Sequence, residues 1–226
     1  MPPFGGDKIR VYQIAKFLSK KNLIDVVCLS DGTNNKKEKF INNQFLFTTN
    51  IFHKIIYSFF QLLKLKPMEM EFYYAKKMKE KINNIKKNYD IIICHLIRCS
   101  IYLPKDFSGY KILEMTDIIS ENYLQRSNQD NYFNPLKYLY WIESKLLKKY
   151  EIDNLSKFNN VVLVTKGKNY LIKNSFNNIK IIPNGIEKTS LKFSFNKKNL
   201  YVIFYGNIDS HINKKACLDF ANKVLP

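Results

Sequence analysis

The stretch "PPFGGDKIRVYQIAKFLSKK", residues 2–21, sets two glycines directly before an acidic residue and a basic, apolar-striped run. Val11, Ile14, Ala15 and Leu18 recur at helical spacing, and Asp7 follows Gly5 and Gly6 where a helix N-cap is expected. A glycine turn that feeds a helix is ordinarily the exit of a parallel β-strand, where a sheet presents backbone N–H groups to a ligand. No strand-like run stands before this one. The stretch therefore reads as the loop and helix that ordinarily follow a strand.

Working outward, the apolar period keeps switching between short runs and long stripes. "LIDVVCLS", "QFLFT", "YDIIIC", "GYKILEMT", "NNVVLV" and "NIKIIP" read as strands. "NIFHKIIYSFFQLLKLK", ended by Pro67, reads as a helix, and "MEMEFYYAKKMKEKINNIKKN" as one further helix. "NPLKYLYWIESKLLKKYEIDNLSKF" is the longest helix, with Pro135 suited to its first turn. Asp117 or Ser120 is placed to cap the helix that follows "GYKILEMT". This alternation predicts an α/β fold with a parallel sheet. "KTSLKFSFNKKN" reads as a polar linker, followed by a new strand in "LYVIFYGN" and a final helix.

At 226 residues and 46% apolar content the chain is of globular composition, neither disordered nor fibrous. The formal net charge of +18 would suit a polyanionic partner. Its cations are nearly all Lys, however, the arginines being Arg10, Arg98 and Arg126. Base readout and bidentate phosphate clamps favour Arg, so sequence-specific nucleic-acid binding is not expected. Cys28, Cys94, Cys99 and Cys217 show no C-x-x-C or metal-like spacing, and reduced thiols are expected. No signal-peptide pattern and no run of ~20 apolar residues is seen, which predicts a cytoplasmic protein, free or peripheral on the membrane's cytoplasmic face.

Six segments in order carry a family likeness: "PFGGDKIR", "YDIIICHLIR", "KILEMTDIISENYLQR", "WIESKLLKKYE", "IIPNGIE" and "VIFYGNIDSHINKKA". Together they resemble the N-terminal, acceptor-side half of a GT-B type glycosyltransferase of subfamily four. The resemblance implies a Rossmann-like parallel sheet flanked by helices, with the first strand missing and a second Rossmann-like domain beginning near the end. The implied boundaries are an incomplete acceptor-side domain at 1–188, a linker at 189–198, and the start of a donor-binding domain at 199–226. The implied activity is sugar transfer, with retention and without a metal, from a nucleotide-sugar to a saccharide or lipid-linked acceptor in bacterial cell-surface polysaccharide synthesis. The nucleotide-sugar would be a co-substrate, and no cofactor is called for.

Transfer from a nucleotide-sugar needs a departing diphosphate to be stabilised, which backbone N–H groups at a helix N-terminus supply in part. Gly5 and Gly6 would let backbone approach a substrate closely, with Asp7 and Arg10 at the cleft edge; a plain glycine turn with its cap is the alternative. His95 and Arg98 stand at a strand exit, where ligands bind in open α/β sheets, although relatives often carry Gln at the His95 position. Asp117 and Ser120 repeat that placement, with helix capping as the competing role. Asn184 and Gly185 match the family's hinge-side turn, and Gly206, Asn207 and Asn213 the first donor-side loop. Glu143 and Glu151 match a structural segment rather than a catalytic pair.

The broad apolar face from Ile51 to Leu65 is expected to pack on the sheet. Insertion at an anionic membrane surface, with Lys54, Lys64 and Lys66 at its margins, is the alternative. Two rivals to a transferase fragment are a non-catalytic acceptor-binding half that needs a separate donor domain, and a basic nucleic-acid-binding module.

Overall fold

A computed structural model describes residues 6–30, 32, 37–129, 132–164, 178–185, 202–204, 206, 208 and 211–225. The chain divides into two compact units, Met1–Gly185 and Ile186–Pro226. In the first, α1 (Gly6–Leu18) precedes β1 (Asp25–Leu29), β2 (Asn43–Phe47), α2 (Ile51–Leu63), α3 (Met68–Phe72) and α4 (Lys76–Ile85). Then come β3 (Ile91–His95), a 3-10 turn (Ile97–Tyr102), β4 (Tyr110–Met115), α5 (Ile119–Gln129), α6 (Pro135–Leu155), β5 (Asn160–Leu163) and β6 (Ile179–Ile181). The second unit contains α7 (His211–Lys223).

Every strand pair is parallel, and helices flank the sheets in a Rossmann-like α/β arrangement. The strands form two separate sheets, β1–β2 and β3–β4–β5–β6. The main core lies between the larger sheet and α5 and α6: Leu113, Met115 and Val161 of the strands meet Leu147 and Leu155 of α6, all essentially inaccessible to solvent. Burial of each such side chain contributes about 1.5–3 kcal/mol. A second core sets Ala75, Met78 and Tyr102 against Val27, Leu29 and Phe47 of the smaller sheet, and Ile101 belongs to both.

Two buried glutamates of α6 hold other helices by their N-termini, whose first N–H groups have no partner within the helix. Glu143 accepts the backbone N–H groups of Met68 at 3.0 Å and Glu69 at 2.9 Å, at the start of α3. Glu151 accepts the Ser120 N–H at 3.1 Å and the Ser120 hydroxyl at 2.5 Å, at the start of α5. Ser120 lies inside α5 and Asp117 two residues ahead of it, so neither occupies the cap position expected of them. Likewise α1 starts at Gly6, which puts Asp7 inside the helix rather than at its cap. Asn134 does cap α6, accepting the Leu136 N–H at 3.0 Å, with Pro135 next.

Three further expectations need correction. The helix expected through "MEMEFYYAKKMKEK" is broken between α3 and α4, because the Tyr102 hydroxyl donates to the Tyr73 carbonyl at 2.5 Å and accepts the Ala75 N–H at 2.7 Å. Those bonds satisfy the backbone where the helix stops. The apolar face of α2 does not pack on the sheet; Phe52, Ile55, Phe59 and Phe60 are all more than half exposed. Instead α2 leans on α3, through Gln61 to Glu71 at 3.0 Å and Lys54 over the Phe72 ring. Val202–Phe204 is exposed and unpaired rather than a strand, having no neighbouring strand among the described residues of its unit. The helix expected after β5 and the linker at 189–198 lie outside the described residues.

Gly109 precedes β4 at a close approach to β3. A Cβ there would collide with the Asp90 carbonyl oxygen and the Phe107 ring, and that same carbonyl accepts the Tyr110 N–H at 2.8 Å. Gly109→Ala is expected to lower stability by about 1–3 kcal/mol. An unchanged urea midpoint would show that the turn shifts freely.

Candidate functional site

The carboxyl ends of the parallel strands gather residues from four of the sequence motifs. His95 closes β3 and lies in register opposite Glu114 of β4, so their side chains share one face. His95 Nδ1 hydrogen-bonds one Glu114 oxygen, and Arg10 Nε of α1 donates to the other. Arg10 Nη1 donates to Asn184 Oδ1 at 2.8 Å, and Nη2 donates to the Ile182 carbonyl at 3.0 Å. A single guanidinium therefore ties α1 to β4 and to the chain leaving β6. Arg10 and Glu114 are both buried.

Burial pushes the Glu114 carboxyl up, but the hydrogen bonds and charges of His95 and Arg10 outweigh it and hold the group below the ordinary carboxylate range. An ionised carboxylate only accepts, so the His95 proton sits on Nδ1 and donates to Glu114. Nε2 is then an acceptor in the neutral ring and a donor in the imidazolium. That nitrogen is buried and bonds nothing among the described residues. Two more buried polar atoms lack a described partner in the segments just after β3 and β4: Arg98 Nε and Thr116 Oγ1. Unsatisfied buried polar groups each cost roughly 1–3 kcal/mol, and His95 Nε2, at a strand exit, is the one that belongs to the Arg10–Glu114 network.

The backbone is strained at the same point. Leu96, directly after His95, has φ +67° and ψ 149°, a conformation that residues other than Gly rarely adopt. Its N–H donates to the Glu114 carbonyl at 2.7 Å, which holds the strained turn in place. Such strain costs on the order of 1–3 kcal/mol and concentrates at binding sites. A change of backbone direction at Leu96 sends Arg98 back toward α3.

The sequence-nominated residues divide as follows. Gly6, Arg10, His95, Asn184 and Gly185 fall on the elements that meet at this edge. Among the described residues nothing lies within 4 Å of the position a Cβ would take at Gly6 or Gly185. Arg10 is spent on the protein itself rather than standing at an open cleft edge. Arg98 pairs with Glu69 at 3.0 Å and lies over the Tyr73 ring at 4.2 Å. Asp117 is exposed, whereas Ser120 is buried and engaged by Glu151. In the second unit, a Cβ on Gly206 would come within 3.3 Å of Asn213 Nδ2, which sets those two side by side. Gly5, Asn207 and the Asp7 side chain lie outside the described residues.

Glu114 and Thr116 were not nominated from the sequence. The signal for Glu114 was an acid within an otherwise apolar parallel strand, "KILEMT", where a charge requires a buried partner. No cluster of three or more His, Cys, Asp or Glu suited to a metal occurs among the described residues. No helix among them is long and apolar enough to cross a membrane.

No family model, curated protein or solved structure matches this chain. The functional reading rests on its residues and their geometry.

Proposed function

We propose that the chain is the acceptor-side part of a GT-B type glycosyltransferase, acting on a saccharide or lipid-linked acceptor at the cytoplasmic face of an anionic membrane. The observation that carries this reading is the convergence at one sheet edge of "GDKIR", "CHLIR", "KILEMT" and "IPNG", with His95 Nε2 buried and without a partner among the described residues. A buried imidazole nitrogen suits a sugar hydroxyl, and α1 starts at Gly6, where the first N–H groups of a helix favour an anionic group. The nucleotide-sugar is the co-substrate in this reading, and most of its site would belong to a donor-binding domain.

Saturation-transfer NMR tests it, with polyprenyl-diphosphate-linked N-acetylglucosamine, free mono- and disaccharides, and uridine- and guanosine-diphosphate sugars as probes. A saccharide-bearing acceptor is expected to bind with Kd below a few mM, and His95→Ala to weaken it about tenfold or more. Gly6→Val is expected to abolish that binding while leaving the urea midpoint unchanged, since a Cβ there meets no atom of the described residues. Absence of saccharide binding, or binding indifferent to both substitutions, would defeat the proposal.

The membrane part is tested separately. The exposed Phe52, Ile55, Phe59 and Phe60 lie on a helix whose exit carries the exposed Lys64 and Lys66. Flotation with vesicles containing phosphatidylglycerol is expected to capture the chain, and vesicles of phosphatidylcholine alone to capture little of it. Replacing Phe52 and Phe59 by Ser should release it. Capture that ignores lipid charge and both phenylalanines would rule out α2 as the contact.

A further inference from the structure

A second exposed apolar surface lies at the start of α6. Tyr132 and Phe133 stand just ahead of the helix, 68% and 87% exposed, and Leu136, Tyr138, Trp141 and Ile142 are each more than a third exposed. The rings form a cluster: Tyr132 meets Phe133 edge-on at 5.8 Å between ring centres and Tyr138 at 6.3 Å. Along α6, Tyr138, Trp141, Ile142 and Lys145 recur at three- and four-residue steps and so share one face. The opposite face belongs to the core, with Glu143, Leu147 and Glu151 inaccessible to solvent.

The charges around this surface are of one sign. Lys145 lies over the Trp141 ring at 5.6 Å and Lys137 over the Tyr132 ring at 5.9 Å, and the outward face continues into the exposed Lys149. Glu143, the one acid between Tyr132 and Lys149, is buried and turned onto α3. The stretch from Ile51 to Lys66 likewise carries lysines and no acid. Glu143 also ties the two surfaces together: it accepts the Met68 N–H at 3.0 Å, two and three residues beyond the exposed Lys66 and Leu65 that leave α2. Rings rimmed by lysine, with aliphatic side chains among them, match the boundary of an anionic lipid layer, where rings sit at the headgroups and cations meet the phosphates. A nucleic acid would stack on the rings but leave Leu136, Ile142 and the aliphatic part of α2 in water.

We infer that the surface from Tyr132 to Lys149 is a second contact with an anionic lipid layer, so that the chain docks through α2 and the start of α6 together. This rests on the membrane contact proposed above for α2, and not on saccharide binding. The Trp141 ring enters the headgroup boundary, and Lys145 and Lys149 face the lipid phosphates. A single apolar helix leaves a protein free to roll about that helix's axis. A contact on a different helix of the same unit removes that freedom and fixes which side of the unit faces the lipid.

Trp141 is the only tryptophan of the chain, so the unaltered protein reports the contact by its own fluorescence. Emission is read with vesicles of phosphatidylglycerol and phosphatidylcholine in equal parts, with vesicles of phosphatidylcholine alone, and with the anionic vesicles carrying brominated acyl chains. The anionic vesicles are expected to shift the emission to the blue and the brominated chains to quench it, with phosphatidylcholine alone doing neither. Joint replacement Lys145→Glu and Lys149→Glu is expected to weaken capture in flotation about tenfold or more, with the urea midpoint kept because both side chains are exposed. Capture of the chain with Trp141 emission unshifted and unquenched overturns this inference and leaves the contact of α2 standing, whereas no capture at all overturns both. A blue shift that grows with protein concentration in the absence of lipid would assign the surface to a second copy, and an equal shift with polyuridylate would assign it to nucleic acid. Either result overturns the inference.

Discussion

Glu114→Ala is expected to cost about 3–5 kcal/mol of folding stability, a large part of the 5–15 kcal/mol typical of a domain. Glu114 is the shared acceptor for Arg10 and His95, and removing it leaves a guanidinium buried beside an unbonded imidazole. Arg10 would keep its bonds to Asn184 and Ile182, but these are neutral acceptors and do not balance its charge. Glu114→Gln should lose less, since the amide oxygen still accepts one of the two bonds. Urea unfolding followed by far-UV circular dichroism gives the values. A loss below about 1 kcal/mol for the alanine variant would mean that the cluster is solvated rather than buried.

The same carboxylate predicts a pH dependence. Its folded pKa lies below the unfolded one, so its contribution is fully present above the ordinary carboxylate range and disappears as pH falls through the depressed value. Glu143 acts in the opposite sense. Burial raises its pKa, and the N–H groups of Glu69 and Met68 recover only part of that. Its stabilising effect is therefore present below the ordinary carboxylate range and declines as pH rises through the folded value. Against the parent, Glu114→Gln should flatten the acid side of the stability profile, whereas Glu143→Gln should make stability climb more steeply from acid to neutral pH.

The second large effect is expected at the helix starts. Glu151→Ala removes the acceptor for two Ser120 donors, and Glu143→Ala removes the acceptor for two N–H groups of α3. Both glutamates are fully buried, so water does not readily replace them. Each alanine variant is expected to lose about 2–4 kcal/mol. Eight residues of α6 separate the pair by about 12 Å, and they hold different helices, so the double variant should show the sum. A double-variant loss no larger than that of either single change would show instead that α3 and α5 come apart as one unit.

The sequence nominated both glutamates as structural rather than catalytic, and their bonds to the starts of α3 and α5 are of that kind. It did so without indicating what they hold, since Met68 lies 75 residues from Glu143 in the chain. The helix break at Tyr73–Ala75 was illegible for the same reason. Its cause, the Tyr102 hydroxyl, belongs to a turn beyond β3. The exposed face of α2 was illegible for a different reason: an apolar stripe at helical spacing looks the same whether a core, a lipid surface or nothing covers it.

By itself the sequence determined the six parallel strands and most of the helices, because buried strands and amphipathic helices each write a local period into the chain. It also placed Gly6, Arg10, His95 and Asn184 at strand exits and helix starts. Only the tertiary structure decided that Arg10 is consumed in holding α1, that Glu114 joins it to His95, and that the described strands form two separate sheets. Those outcomes depend on groups 19 to 174 residues apart in the chain. Pairings at such separations are set by how the layers pack, and local periodicity carries no record of them.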